Sequence, residues 1–216
     1  MADMRFIYFA DPMCSWCYGF SPVIAALAEG FEDRMGLQLV MGGLRAGNTA
    51  AMRQQDKDFI REAWTRVSAA TGQPFDFSFF DRDGFVYDTE PACRAVVAAR
   101  RLLPRLALPF MARIQQAFYA ENRDMTRAEE IAEVAAEAGF DREEFSRTFL
   151  APDTRNETFR DFLTAQDLGI RGFPTLIAGS DDKGYALVTN GYRPLEHLKE
   201  PLERWWAAGA PVREAG

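Results

Sequence analysis

Apolar positions along the chain change their spacing several times, and each change marks an element. An unbroken aromatic and β-branched run, Arg5–Ala10, ends at Asp11-Pro12 and predicts a buried strand. Residues 22–31 then place Val23, Ala26, Leu27 and Gly30 at helical spacing. Pro22 lacks a donor and clashes one turn back, so a kink is expected there, with a short preceding turn that carries residues 14–17. A second apolar run of strand length follows at 37–42. The chain therefore opens β-α-β, which implies a parallel pair joined by a right-handed crossover.

From about residue 50 to 150 the pattern is almost entirely helical. Thr89-Glu90-Pro91 opens one helix, with the proline where its missing donor costs least. Thr126 with Glu129 reads as a capping box, and Gly139 closes that helix. Asp141 with Glu144, and Thr154 with Glu157, repeat the start signal. The irregular patch 75–80, with Phe75, Phe77 and Phe79 alternating, is expected to be an extended connector whose rings serve the core. After a helix over 154–168, strands return at 173–178 and 185–190, joined by a turn-rich link of hairpin length. A last helix begins near Pro194, with Leu195, Leu198 and Leu202 on one face and a break or kink at Pro201. The order is one α/β core interrupted by helices.

Composition adds limits rather than detail. The 216 residues are 48% hydrophobic and 26% charged, enough for one large domain or a domain with an insertion. A formal charge of −7 argues against nucleic acid as a partner, since Arg100, Arg101, Arg105 and Arg113 read as a solvated face rather than a basic stripe. No apolar run is long enough to span a bilayer, so no membrane partner is expected. The N-terminus lacks the shape of a signal peptide, which makes the cytoplasm the expected location. Oligomeric state is not legible.

Three cysteines are too few for a secreted disulfide framework, yet Cys14 and Cys17 lie three positions apart. They follow the first strand directly and open the first helix. Only a thiolate attacks a disulfide, and free amides at a helix N-terminus favour that thiolate. Cys14, at the exposed end, is the expected nucleophile, and Cys17 can resolve the mixed disulfide formed there. A zinc site would need two more ligands, and Cys93 and the single histidine, His197, do not pair at metal spacing.

Taken in order, Asp11-Pro12-Met13, Cys14-Ser15-Trp16-Cys17, the helical insertion and Gly172-Phe173-Pro174-Thr175 resemble the DsbA-like branch of the thioredoxin superfamily. The closest likeness within it is to FrnE-type disulfide isomerases. The resemblance implies an α/β thioredoxin-like fold with a large all-helical insertion. Residues 1–48 and 154–216 would form the thioredoxin-like domain, and 49–153 the insertion. It also implies that Pro174 is cis and that the Phe173 backbone pairs with an extended substrate, beside Trp16. Function would be thiol–disulfide exchange on protein or small-molecule substrates, as reductase or isomerase, with no tightly bound cofactor or metal and glutathione as a possible co-substrate. Trp16 stands where strong oxidants of the family carry histidine, so a less oxidising couple is expected. The alternative is a glutathione-dependent isomerase or transferase related to 2-hydroxychromene-2-carboxylate isomerase and the kappa-class transferases. Those carry serine at the position of Cys14.

Other candidates read more simply. Cys93 sits on an apolar helical stripe as a small buried hydrophobe, or as an auxiliary thiol if that helix faces Cys14. Asp11 is expected to cap the first helix, or else to relay a proton. His197 reads as surface. Trp64 and Tyr119 are candidates to line an apolar substrate cleft.

Overall fold

A computed structural model describes residues 4–210; the readings made above for the first three residues and for 211–216 lie outside the described part. Four strands form a mixed sheet in the order β2-β1-β3-β4: β1 (Arg5–Ala10), β2 (Gly36–Met41), β3 (Thr175–Ser180) and β4 (Gly184–Asn190). β1 and β2 are parallel, with Arg5 opposite Gly36, and β3 runs antiparallel to both β1 and β4. The period-two alternation of β1 divides its side chains between two cores. Phe6, Tyr8 and Ala10 join the larger cluster with helix α1 (Ser15–Gly30), while Ile7 and Phe9 face Ala165 on the opposite side. Both faces of this strand are covered from Phe6 onward, which is why its sequence is apolar there.

After β2 the chain first runs through five α-helices: α2 (Gln54–Thr71), α3 (Glu90–Leu102), α4 (Ala107–Tyr119), α5 (Ala128–Glu137) and α6 (Arg142–Leu150). α7 (Pro152–Asp167) then packs on β2, and α8 (Lys199–Ala207) closes the described chain. The insertion has its own core, centred on Trp64. The rings of Phe75, Phe77, Phe79, Phe80, Phe118 and Tyr119 lie 4.8–6.1 Å from it. α3 and α4 contribute side chains to both large clusters, so the insertion is welded to the sheet domain. At Gly19 of α1 an added Cβ would stand 2.9 Å from Val67 and Thr71 of α2, and the absence of a side chain is what allows this close approach.

Several local expectations need correction. Residues 15–21 belong to α1 itself rather than to a separate short turn, and α1 continues through Pro22, whose ring is exposed. The buried face made by Cys17, Phe20, Val23, Ile24 and Leu27 continues past it, and this packing outweighs the roughly 3 kcal/mol that an interior proline costs. Thr126 caps nothing, because its N–H and hydroxyl turn back to Asp124 and α5 starts two residues later. Thr154 lies inside α7, which Pro152 opens at its first position. Asp141 does cap α6, accepting from the Glu144 N–H at 2.8 Å, and Gly139 closes α5 at φ 91°.

The patch at 75–80 contains a 3-10 turn, Phe77–Asp81, rather than an extended connector, and buries Phe79 and Phe80. Pro201 falls in the first turn of α8, where no donor is lost, and the break comes before it at Leu198. Arg100 is no surface charge. Its guanidinium is held by Asp161 at 2.9 Å and Glu157 at 2.7 Å and donates to the Leu39 carbonyl, tying α3 to α7 and β2. Arg101 and Arg113 are likewise engaged by glutamates.

Candidate active site

Cys14 is the N-cap of α1, with extended backbone angles (φ −95°, ψ 117°) and no side-chain cap. Its N–H donates to the Asp11 carbonyl at 3.0 Å and its own carbonyl accepts from the Tyr18 N–H. The thiol therefore sits over the free amides of the first helical turn, where partial positive charge favours an anion. Its sulfur lies 3.6 Å from the carbonyl of Phe173, and the Phe173–Pro174 peptide is cis. The segment 172–175 thus crosses directly over the cysteine, although 159 residues separate the two in sequence.

Cys17 is fully buried one turn along, its sulfur against that of Cys14; neither is in a disulfide. Burial, and then contact with Cys14, pushes its thiol well above the ordinary range. The two sulfurs are chemically unequal, one facing a cleft and one enclosed in the core. Tyr8 of β1 is buried beside them, and burial likewise raises its hydroxyl.

Asp11 is not the helix cap expected from the sequence, because Cys14 is the N-cap of α1 and no side chain caps it. The wholly buried carboxylate accepts from the Met13 N–H at 2.8 Å, the Leu44 N–H at 2.7 Å and the Cys93 thiol at 3.5 Å, with Thr89 as a further donor. One side chain thereby joins the cysteine turn, the loop after β2 and helix α3. Burial pushes its pKa up and these donors pull it back. Cys93 is enclosed, its thiol raised first by burial and then by Asp11, so it is a structural donor rather than an exposed nucleophile. Tyr87 adds a second clamp, donating its hydroxyl to the Met13 carbonyl at 2.7 Å.

Above Cys14 lies a cleft of about 280 Å³, walled mainly by Met13, Trp16, Leu44, Phe59, Trp64 and Phe173. Trp16 packs against Tyr192, ring centres 5.9 Å apart. Of the two aromatic candidates from the sequence, Trp64 reaches this cleft. Tyr119 instead stacks on Tyr18 at 4.9 Å within the insertion core. His197 is exposed on the far helical turn before α8, beside Trp205 and away from the cysteines. Among the described residues, no group of three or more His, Cys, Asp or Glu is arranged to hold a metal ion.

Sequence reasoning missed Gly42, Leu44 and Arg45, which carry no motif. The available signal was their position: they follow the carboxyl end of a parallel strand, where α/β folds place ligands. An added Cβ on Gly42 would stand 2.0 Å from the Phe173 ring, so this glycine makes room for the residue that overlies Cys14.

Residues 7–200 match the thioredoxin family, and the chain belongs to it. A candidate protein disulfide isomerase from Nitrosomonas europaea superposes with a TM-score of 0.89 at 34% identity, covering 95% of this chain and 98% of that one. The cytosolic disulfide reductase DsbM from Pseudomonas aeruginosa gives a TM-score of 0.73 at 28% identity, over 94% and 96% of the two chains, and has also been solved with glutathione. The ClpXP adapter protein SpxH of Bacillus subtilis is 23% identical over 169 residues, 78% of this chain; the match spans only 56% of the adapter's length. Among the described residues no helix is long and apolar enough to cross a membrane.

Proposed function

We propose that this member of the thioredoxin family is a thiol–disulfide oxidoreductase that reduces or isomerises disulfides of proteins or small molecules. The observation that carries the reading is the placement of Cys14 at the N-terminus of α1, 3.6 Å beneath the Phe173 carbonyl, with Cys17 enclosed behind it. The resemblance to a disulfide isomerase and to a disulfide reductase supports it.

In the reductive direction the Cys14 thiolate attacks one sulfur of the substrate. The substrate S–S bond breaks, a mixed disulfide forms, and the first thiolate leaves and takes up a proton. Cys17 then gives up its proton and attacks the Cys14 sulfur, closing the Cys14–Cys17 disulfide and releasing the second thiolate. The substrate gains two electrons and the pair loses two; an external thiol such as glutathione restores the dithiol. The high pKa imposed on Cys17 by burial keeps it protonated until that second step. Phe173 and cis Pro174 offer backbone to an extended substrate, and Trp16 borders it. With no cation between the cysteines to stabilise a thiolate, the couple is less oxidising and suited to donating electrons, and a reducing pool such as that of the cytosol, the compartment named for the DsbM relative, keeps it as a dithiol.

Insulin reduction driven by dithiothreitol or glutathione tests this. Wild type should precipitate the insulin B chain well above the uncatalysed rate, and Cys14→Ser should return it to background. Equal rates for wild type and Cys14→Ser would overturn the reading.

A further inference from the structure

The cleft above Cys14 is walled by apolar side chains, and Arg45 is the one charged residue that lines it. Its backbone is fixed from both sides. The Arg45 N–H donates to the Thr89 hydroxyl at 3.2 Å, and the N–H of Leu44 is held by Asp11 at 2.7 Å. The guanidinium lies 5.3 Å over the ring of Tyr87, whose hydroxyl grips the turn carrying Cys14. Among the described residues no carboxylate forms an ion pair with it. Asp56 feels its charge but is engaged by Arg53 at 3.0 Å, and Asp88 accepts from the N–H groups of Gly47 and Glu90.

Eleven other described arginines form ion pairs, including Arg34, Arg94, Arg100, Arg113 and Arg123, while others such as Arg61 and Arg105 on the surface do not. What sets Arg45 apart is its place: an unpaired cation at the mouth of the thiol cleft, stacked so that its forked donors remain available. A planar guanidinium in apolar surroundings is suited to bidentate capture of a carboxylate. We propose that Arg45 binds a carboxylate of the substrate, so that the preferred small disulfides and thiols are carboxylate-bearing. This rests on the oxidoreductase reading and extends it to substrate class.

The test compares two disulfides of one skeleton, 3,3′-dithiodipropionic acid and its diamide, by kcat/KM with dithiothreitol as reductant. A charge-assisted pair should make the wild-type acid-to-diamide ratio about tenfold higher than that of the uncatalysed reaction. Arg45→Met should bring the corrected ratio close to one, and Arg45→Lys should keep an intermediate value. A wild-type ratio near one, or a ratio that Arg45→Met leaves unchanged, overturns the proposal; the second result would mean that a group other than Arg45 sets the preference. Absence of any Cys14-dependent reduction of either compound would defeat the oxidoreductase reading, and the proposal with it.

Discussion

Replacing Gly42 by alanine isolates the contact that holds Phe173 over the cysteine. Gly42 closes β2, its N–H donating to the Ala10 carbonyl at 2.8 Å. A Cβ there would stand 2.0, 2.2 and 2.6 Å from Cζ, Cε1 and Cε2 of the Phe173 ring. Carbon atoms pack at about 3.5–4.0 Å, so the ring must withdraw by roughly 1.5 Å. Phe173 packs against two of the hydrophobic clusters, and overpacking of this kind costs about 1–3 kcal/mol. Gly42 does not occupy the left-handed region, so the effect is steric rather than conformational. Urea denaturation should place Gly42→Ala below wild type by that amount, and reductase kcat/KM should fall with it because the Phe173 carbonyl shifts relative to Cys14. In a Phe173→Ala background the same substitution should cost less than about 0.5 kcal/mol, giving a coupling energy of at least about 0.5 kcal/mol. Equal costs in both backgrounds would refute the reasoning.

Three further outcomes are expected. Asp11→Asn turns an amide donor toward the N–H of Met13 or Leu44, and should lose about 1–3 kcal/mol. Because burial raises the Asp11 pKa above 3.8, the stability gained from its proton is present below that value and lost as pH rises through the folded pKa. The wild-type advantage over Asp11→Asn should therefore shrink across that window in pH-dependent melts, and an advantage that grows would contradict the assignment. Asp161→Asn breaks the Arg100 pair and weakens the acceptor for the Met41 N–H; chemical unfolding should show a loss of about 3 kcal/mol. Trp16→His brings a cation beside the Cys14 thiolate and stabilises the reduced form. Its reduction potential in glutathione buffers should rise by on the order of 30 mV, and a lower potential would count against the role given to Trp16.

What could be read from the sequence was what local chemistry decides. β1 was legible because an apolar run ended by Asp-Pro admits few alternatives, and α6 because Asp141 can reach the N–H three residues on. Cys14 and Cys17 stood out by spacing, and Pro174 by the Gly-Phe-Pro-Thr motif on which the family resemblance rested. The misreadings came where distant partners overrule a local signal. Thr126 and Thr154 look like caps in sequence, but Asp124 draws Thr126 back into a turn before α5 and Pro152 starts α7 two residues before Thr154. Arg100 resembles a surface arginine until α7 brings Asp161 and Glu157 against it. Asp11 is the same kind of case: its role depends on Leu44, Thr89 and Cys93, which only the folded insertion brings together.

The central claim is that Cys14 attacks and Cys17 resolves. Intact-mass analysis of Cys17→Ser after exposure to glutathione disulfide tests it most directly, because that variant can form the mixed disulfide but cannot release it. The expected result is a single glutathione adduct, mapped to Cys14 by peptide digestion and absent from the Cys14→Ser/Cys17→Ser variant. No adduct, or an adduct on Cys93 in place of Cys14, would contradict the account.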